Sequence, residues 1–283
     1  MKSRQQREQL PEIQKLWSDW VYAQYFETPK EEITCLKELL DLDDQSATAC
    51  YVLGDAYAEL KLYDEATRAY ERAFEIYEQW DSKPKWVWDY VSLGDMYHKT
   101  GKFREERRLY KKAEKDFPGN RLLIYSQAVL ALSEGKRKES EALIEEYRSV
   151  STAQKRSESL TCSNIAGIYH EAGLTEEAEE YYRKALSLEP GNPDRMNNLA
   201  WFLIDENLNI EEGIELTEKA LQLRPDYYLY LETMGLGLYK AGKYREASEI
   251  LQKGWDLRIN NARYDHDAFL NLEAAKKAVA GPE

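Results

Sequence analysis

Leu93-Gly94-Asp95-Met96-Tyr97-His98-Lys99-Thr100-Gly101 is the stretch that decides the fold, because its skeleton returns along the chain. Ile165-Ala166-x-x-Tyr169-x-x-x-Gly173 repeats it in full, and Leu53-Gly54-x-x-Tyr57 repeats it without the last glycine. A small residue, an aromatic and an alanine then follow at fixed offsets, as Ala66, Tyr70 and Ala73 or as Ala178, Tyr182 and Ala185, the latter closing on Pro190. Apolar residues around these landmarks recur at i, i+3, i+4 and i+7 in two runs per copy. The runs are broken at Gly101, Gly135, Gly173 or Gly242, which spells helix, tight turn, helix. The turn glycine supplies a backbone conformation that a Cβ resists, and Pro118, Pro190 and Pro225 end the second helix by withholding an N–H. Ala66, Ala178 and Ala247 are expected to let the paired helices approach, with the aromatic filling space toward the next copy.

In register, the copies are 13–46, 47–80, 87–120, 121–154, 159–192, 193–227 and 228–261, with inserts only at 81–86 and 155–158. A polar segment, 1–12, precedes them. The first copy lacks the turn glycine, yet Thr28-Pro29-x-Glu31 reads as a capping box with proline at the first helical position. The fourth puts Ser140 and Ile144 where alanine and tyrosine are usual, and Glu106 intrudes at the small position of the third. From 262 to 283 the tail predicts a final helix, roughly Asp265 to Ala280, with Phe269, Leu272, Ala275 and Val279 on one stripe and Gly281-Pro282 as its stop. A stack of repeats needs such an end, since each copy buries its apolar face only against its neighbours.

This pattern resembles the tetratricopeptide repeat in period and in order of residue types. The resemblance implies an all-α, right-handed superhelical solenoid of about seven helix pairs plus a C-terminal capping helix. The last two copies, Asn198-Leu-Ala-Trp through Pro225 and Met234-Gly-Leu-Gly-Leu-Tyr through Gly242, resemble the paired final repeats of bacterial members. In that family, set positions on the first helix of each pair line a concave groove that binds proteins or extended peptides. Carried over, those positions are Trp17, Gln24, Tyr25, Tyr51, Asp55, Glu59, Trp88, Asp95, His98, Lys99, Tyr125, Ser163, His170, Glu171, Asn197, Trp201, Asp205, Glu232, Tyr239 and Lys240. Aromatics and carboxylates dominate the set, and large aromatics with a polar tip make good anchors. Some family members clamp acidic chaperone tails with Lys, Asn and Arg at paired groove positions. Here those pairs read Tyr51/Asp55, Val91/Asp95, Asn197/Trp201 and Glu232/Leu236 among others, so the clamp is missing and an acidic tail would be repelled. The expected partner is a neutral to basic, partly hydrophobic protein or peptide segment.

Composition agrees with that exclusion. A formal net charge of -13 opposes a nucleic-acid partner, since phosphate backbones are held by neutralising them. The basic group Arg104, Arg107, Arg108, Lys111 and Lys112 is interleaved with Glu105, Glu106 and Glu114 at helical spacing, as in a solvated ion-paired face. No apolar run approaches the ~20 residues of a membrane span, and no hydrophobic stretch follows the basic start, so neither membrane insertion nor secretion is expected. Three cysteines without Cys-x-x-Cys spacing, with Cys50 and Cys162 at packing positions, point to a reducing cytoplasm.

Catalytic constellations are missing. His170-Glu171 lacks the second histidine of a zinc-protease motif, and Gly235-Leu-Gly237 lies inside a helix with no strand before it. No phosphate-binding loop or nucleophile elbow occurs. The sequence therefore predicts a non-enzymatic binding scaffold with no cofactor and no metal. The alternative is a regulatory or sensor module of a larger bacterial signalling protein.

Overall fold

A computed structural model describes residues 10–261 and 264–281. Of the segment 1–12 only residues 10–12 fall within it, and Pro282 lies outside. Among the described residues there are fifteen helices and no strand. They run as α1 (Glu12–Phe26), α2 (Pro29–Leu42), α3 (Ala47–Glu59), α4 (Tyr63–Gln79), α5 (Val87–Lys99), α6 (Phe103–Asp116), α7 (Arg121–Ser133) and α8 (Arg137–Ala153). Then come α9 (Glu158–Glu171), α10 (Thr175–Leu188), α11 (Pro193–Asp205), α12 (Ile210–Leu223), α13 (Tyr228–Lys240), α14 (Tyr244–Asn261) and α15 (His266–Ala280). The chain divides after Ser126, within α7, into two compact units. In each unit consecutive helices pair as antiparallel hairpins, the all-α repeat fold that the periodicity demands.

The hairpin turns share one conformation. Gly101, Gly135, Gly173 and Gly242 all have φ between 70° and 79°, the left-handed region that closes the first helix. Where glycine is missing, Lys61 (φ 58°) and Asn207 (φ 54°) do the same. Asparagine tolerates this region; lysine is held there against its preference by the packing of both helices. The first hairpin instead starts α2 with a full capping box, Thr28 and Glu31 each bonding the other's backbone N–H.

Packing of three of the hairpins rests on a spacing of sixteen residues. A Cβ on Gly54 would lie 2.5 Å from the ring of Tyr70, one on Gly94 2.3 Å from the hydroxyl of Tyr110, and one on Gly235 2.4 Å from Leu251. The glycine of the first helix is thus the seat for the large residue of the second. This adds to the expectation that the aromatic fills space toward the next copy: Tyr70 lies over its own hairpin, beside Tyr51, donates to Asp55 at 2.7 Å, and also reaches Ser92 of the next copy. Tyr182 does both, clustering with Ala166 of its own hairpin and stacking on Phe202 of the next at 5.0 Å.

Gly54→Ala is therefore expected to destabilise the chain. Alanine gains about 1 kcal/mol of helix propensity over glycine, but overpacking a closed site costs about 1–3 kcal/mol. The clash is with the body of the Tyr70 ring, which is fully buried and tethered, so the penalty wins. A lower urea midpoint than wild type is the expected result, and an unchanged or higher one would show that the ring slides aside.

At the chain's end, α15 is capped by Asp265, whose carboxylate accepts from the backbone N–H of Ala268. Its buried residues are Ala268, Leu272 and Ala275, the last two set against Met234, Leu238, Ala247 and Leu251. Val279, placed on the same stripe by sequence, is 46% exposed, at the rim of an open cleft that it shares with Gly242, Lys243 and Tyr244 of the last hairpin turn. Cys50 and Cys162 are buried free thiols, as their positions imply, and Cys35 is half-buried. Among the described residues no helix is long and apolar enough to cross a membrane.

Candidate functional site

Within the first unit, α3 and α5 lie side by side and present one continuous polar-aromatic face. Tyr51 on α3 hydrogen-bonds Ser92 on α5 through their hydroxyls at 3.0 Å, which fixes the register of the two helices. Asp55, one turn beyond Tyr51, accepts from Tyr70. On α5, Trp88, Ser92 and Asp95 share a helix face at i, i+4 and i+7. Trp88 is 58% exposed. Lys99 closes the far end of this face, 3.6 Å from Asp95 and over the ring of Tyr63.

Between these helices sits a residue that the repeat register does not mark. Asp89 occupies a packing position, where other copies carry Ala49, Leu123 or Thr161, and it is only 6% exposed. Burial, and after it the negative charge of Asp55, pushes its carboxyl up to about 6, while a hydrogen bond from Tyr77 works the other way. The only sequence signal is a charged residue at a packing position, the sign that Glu106 also carries. The same burial and the Asp55 charge raise the Tyr51 and Tyr70 hydroxyls. The face thus holds two mutually repelling carboxylates, one deeply buried, beside exposed aromatic surface.

Glu106 has a different explanation. It is fully buried, 3.0 Å from Nδ1 of His98 across the hairpin turn, and burial raises its carboxyl while His98 offsets part of the rise. His98, expected on the binding face, is therefore engaged in holding its own hairpin. Trp17 is likewise drawn into packing, edge-on to Trp20 and against the cores formed by Leu16 with Leu39 and by Leu36 with Leu53. Tyr25 is 53% exposed, while Glu59 and Tyr125 are half-buried.

In the second unit, the residues expected on the face are mostly engaged by neighbouring groups within the fold. His170 bonds Glu206 at 2.8 Å through Nε2, and Lys240 donates to the carbonyls of Ile204 and Asp205 at 2.8 and 2.7 Å. Glu232 is gripped by Arg258 of its own hairpin through both carboxylate oxygens, at 2.5 and 2.7 Å. Burial raises Glu232, and the Arg258 guanidinium counteracts it. Tyr239 packs on Tyr244, and Asn197 is 9% exposed, with a buried carbonyl oxygen that has no partner. Trp201, at 36% exposure, and Asp205 remain at the surface.

Comparison with known proteins agrees with this architecture. Residues 44–117 and residues 161–192 each match a model described as tetratricopeptide repeat. The human protein O-mannosyl-transferase TMTC1 is 27% identical over 170 residues, covering 58% of this chain and 19% of that protein. The KINESIN LIGHT CHAIN-RELATED 1 protein of Arabidopsis thaliana is 22% identical over 216 residues, covering 71% of this chain and 31% of that protein. The chain thus spans less than a third of the length of either curated relative. A tetratricopeptide repeat protein from Parabacteroides merdae superposes with a TM-score of 0.51 at 12% identity, over 94% of this chain and 99% of its own, a likeness of fold. With glycine-seated helical hairpins in both units and matching models in each, the chain is a tetratricopeptide-repeat protein.

Proposed function

We propose that this protein is a non-enzymatic binding scaffold, and that the α3–α5 face of the first unit receives an extended peptide carrying a basic residue beside an apolar one. Repeats of this family generally mediate protein–protein interaction, which gives the class of function. The observation that carries the finer reading is Asp89. A carboxylate this buried and this close to Asp55 is unfavourable in the free protein. A lysine or arginine side chain from a partner would relieve both the burial and the repulsion. Trp88 supplies the apolar surface next to it, and Trp and Tyr are the residues that most often anchor such contacts. Acidic segments are disfavoured by Asp55, Asp89 and Asp95 together.

Selection from a displayed random peptide library tests this directly. Enrichment of lysine or arginine next to an aromatic or aliphatic residue is expected, and Trp88→Ala should weaken the selected peptides about tenfold or more, as hot-spot truncations do. Because Trp88 is mostly exposed, helicity should be unchanged. Selection of acidic peptides, or full affinity in a folded Trp88→Ala chain, would sink the proposal.

A second reading, a regulatory module joined to other domains, is favoured by one fact. In both curated relatives the matching region is a minority of a longer protein. The two readings share the same face and differ in what the binding event controls.

A further inference from the structure

We propose that His170, Asp205 and Glu206 form a binding site for a divalent transition ion of the zinc class, independent of the peptide face in the first unit. Among the described residues this is the one group of three histidine, cysteine or carboxylate side chains whose ligand atoms all lie within 4.8 Å of one another. Its members come from two hairpins: His170 from the last turn of α9, Asp205 and Glu206 from the end of α11.

The histidine is preorganised. Its ring is held by Trp201 and Phe202, both edge-on with centroids 5.3 Å away, so Nε2 is aimed at Glu206 rather than free to rotate. The carboxylates are less buried, and Asp205 is exposed, so it can close in by rotamer change alone. Zinc binds nitrogen at about 2.0–2.1 Å and carboxylate oxygen at about 2.0–2.2 Å, which needs donors roughly 3.3 Å apart in a tetrahedron. The His170–Glu206 separation of 2.8 Å is already near that range, and all three ligand atoms lie within 4.8 Å of one another before any ion draws them in.

The donor set also selects the ion. One imidazole nitrogen with two carboxylates suits zinc, cobalt, nickel or copper, whereas magnesium and calcium prefer all-oxygen shells. This end of α11 already attracts positive charge, since the Lys240 ammonium sits on the carbonyls of Ile204 and Asp205. That ammonium bonds backbone oxygens and leaves the carboxylate oxygens to the metal, but its charge opposes a second cation. An ion here would join α9 to α11 and tie neighbouring hairpins together.

The test uses the full chain without an added histidine tag. Titration with Zn2+ by calorimetry should give one saturable site, and Ni2+ should quench tryptophan emission to saturation because Trp201 adjoins His170. Trp201→Phe should keep zinc binding and remove most of the quenching. His170→Ala should abolish binding. Glu206→Gln preserves a hydrogen bond to His170 but loses an anionic ligand, and should weaken zinc at least about tenfold. Lys240→Met should tighten zinc if the site is where we place it. Zinc binding that survives His170→Ala, equal affinity in folded Glu206→Gln, or no saturable binding would show that the trio is only an inter-hairpin ion pair.

Discussion

Deleting the chain from Asp265 onward should strip protection from the last hairpin before anything else responds. The deletion removes Leu272 and Ala275 from their cluster with Met234, Leu238, Ala247 and Leu251, and takes Phe269 off Trp255. Burying a large apolar side chain is worth about 1.5–3 kcal/mol, so the loss of Leu272 and Phe269 alone is a sizeable fraction of the ~5–15 kcal/mol that holds a domain. The deletion also removes Asp265, which lies 3.4 Å from Arg258, the residue that neutralises Glu232. Because each repeat touches only its neighbours, the damage should begin in α13 and α14 and spread backward with decreasing force. Hydrogen exchange would show faster exchange across 228–261, and light scattering would show association through the newly exposed surface. Native protection there, with a monodisperse chain, would mean that α15 is a dispensable extension.

Asp89→Asn should move stability and binding in opposite directions. Asp89 has a folded value near 6 against an ordinary 3.8, so the protonated form is the one that the fold favours. The stability linked to that proton is fully present below about 3.8 and is lost as pH rises through about 6. The rise from 3.8 to about 6 corresponds to roughly 3 kcal/mol at most. At pH 8 the neutral asparagine avoids this cost, so the variant should melt higher than wild type, while at pH 4 the two should nearly coincide. Binding of a basic peptide should fall at least about tenfold at pH 8, since removing one partner of a buried charge pair costs about 2–5 kcal/mol. Wild-type affinity should itself decline as pH drops below 6. A variant both less stable and unable to bind would reveal Asp89 as a structural residue, and unchanged affinity would place the partner elsewhere.

Periodicity makes the helices legible. The turn glycines, the capping box at Thr28, the stopping prolines and the final helix are all readable, since they depend on neighbours within one or two turns of chain. Burial of Cys50, Cys162, Tyr70 and Tyr182 follows from the same register. What the register does not show is which polar side chains meet across hairpins. His98 and Glu171 occupy neighbouring register positions in the string, yet His98 turns inward to a buried glutamate because its own copy carries Glu106 at the small position, across the hairpin turn from the ring. Glu232 reads as a binding residue until Arg258, on the second helix of its hairpin, closes over it. Asp89 is hidden by the pattern itself, which marks its position as packing; only the side-by-side placement of α3 and α5 sets it against Asp55. Sequence by itself determined the helices and their pairing, because these are local and periodic, while the seating of each large residue on its own hairpin's glycine emerged only from the packed helices. The tertiary structure decided which charges meet a partner across helices and which stand against a like charge, because that depends on distances between helices, which no spacing along the chain encodes.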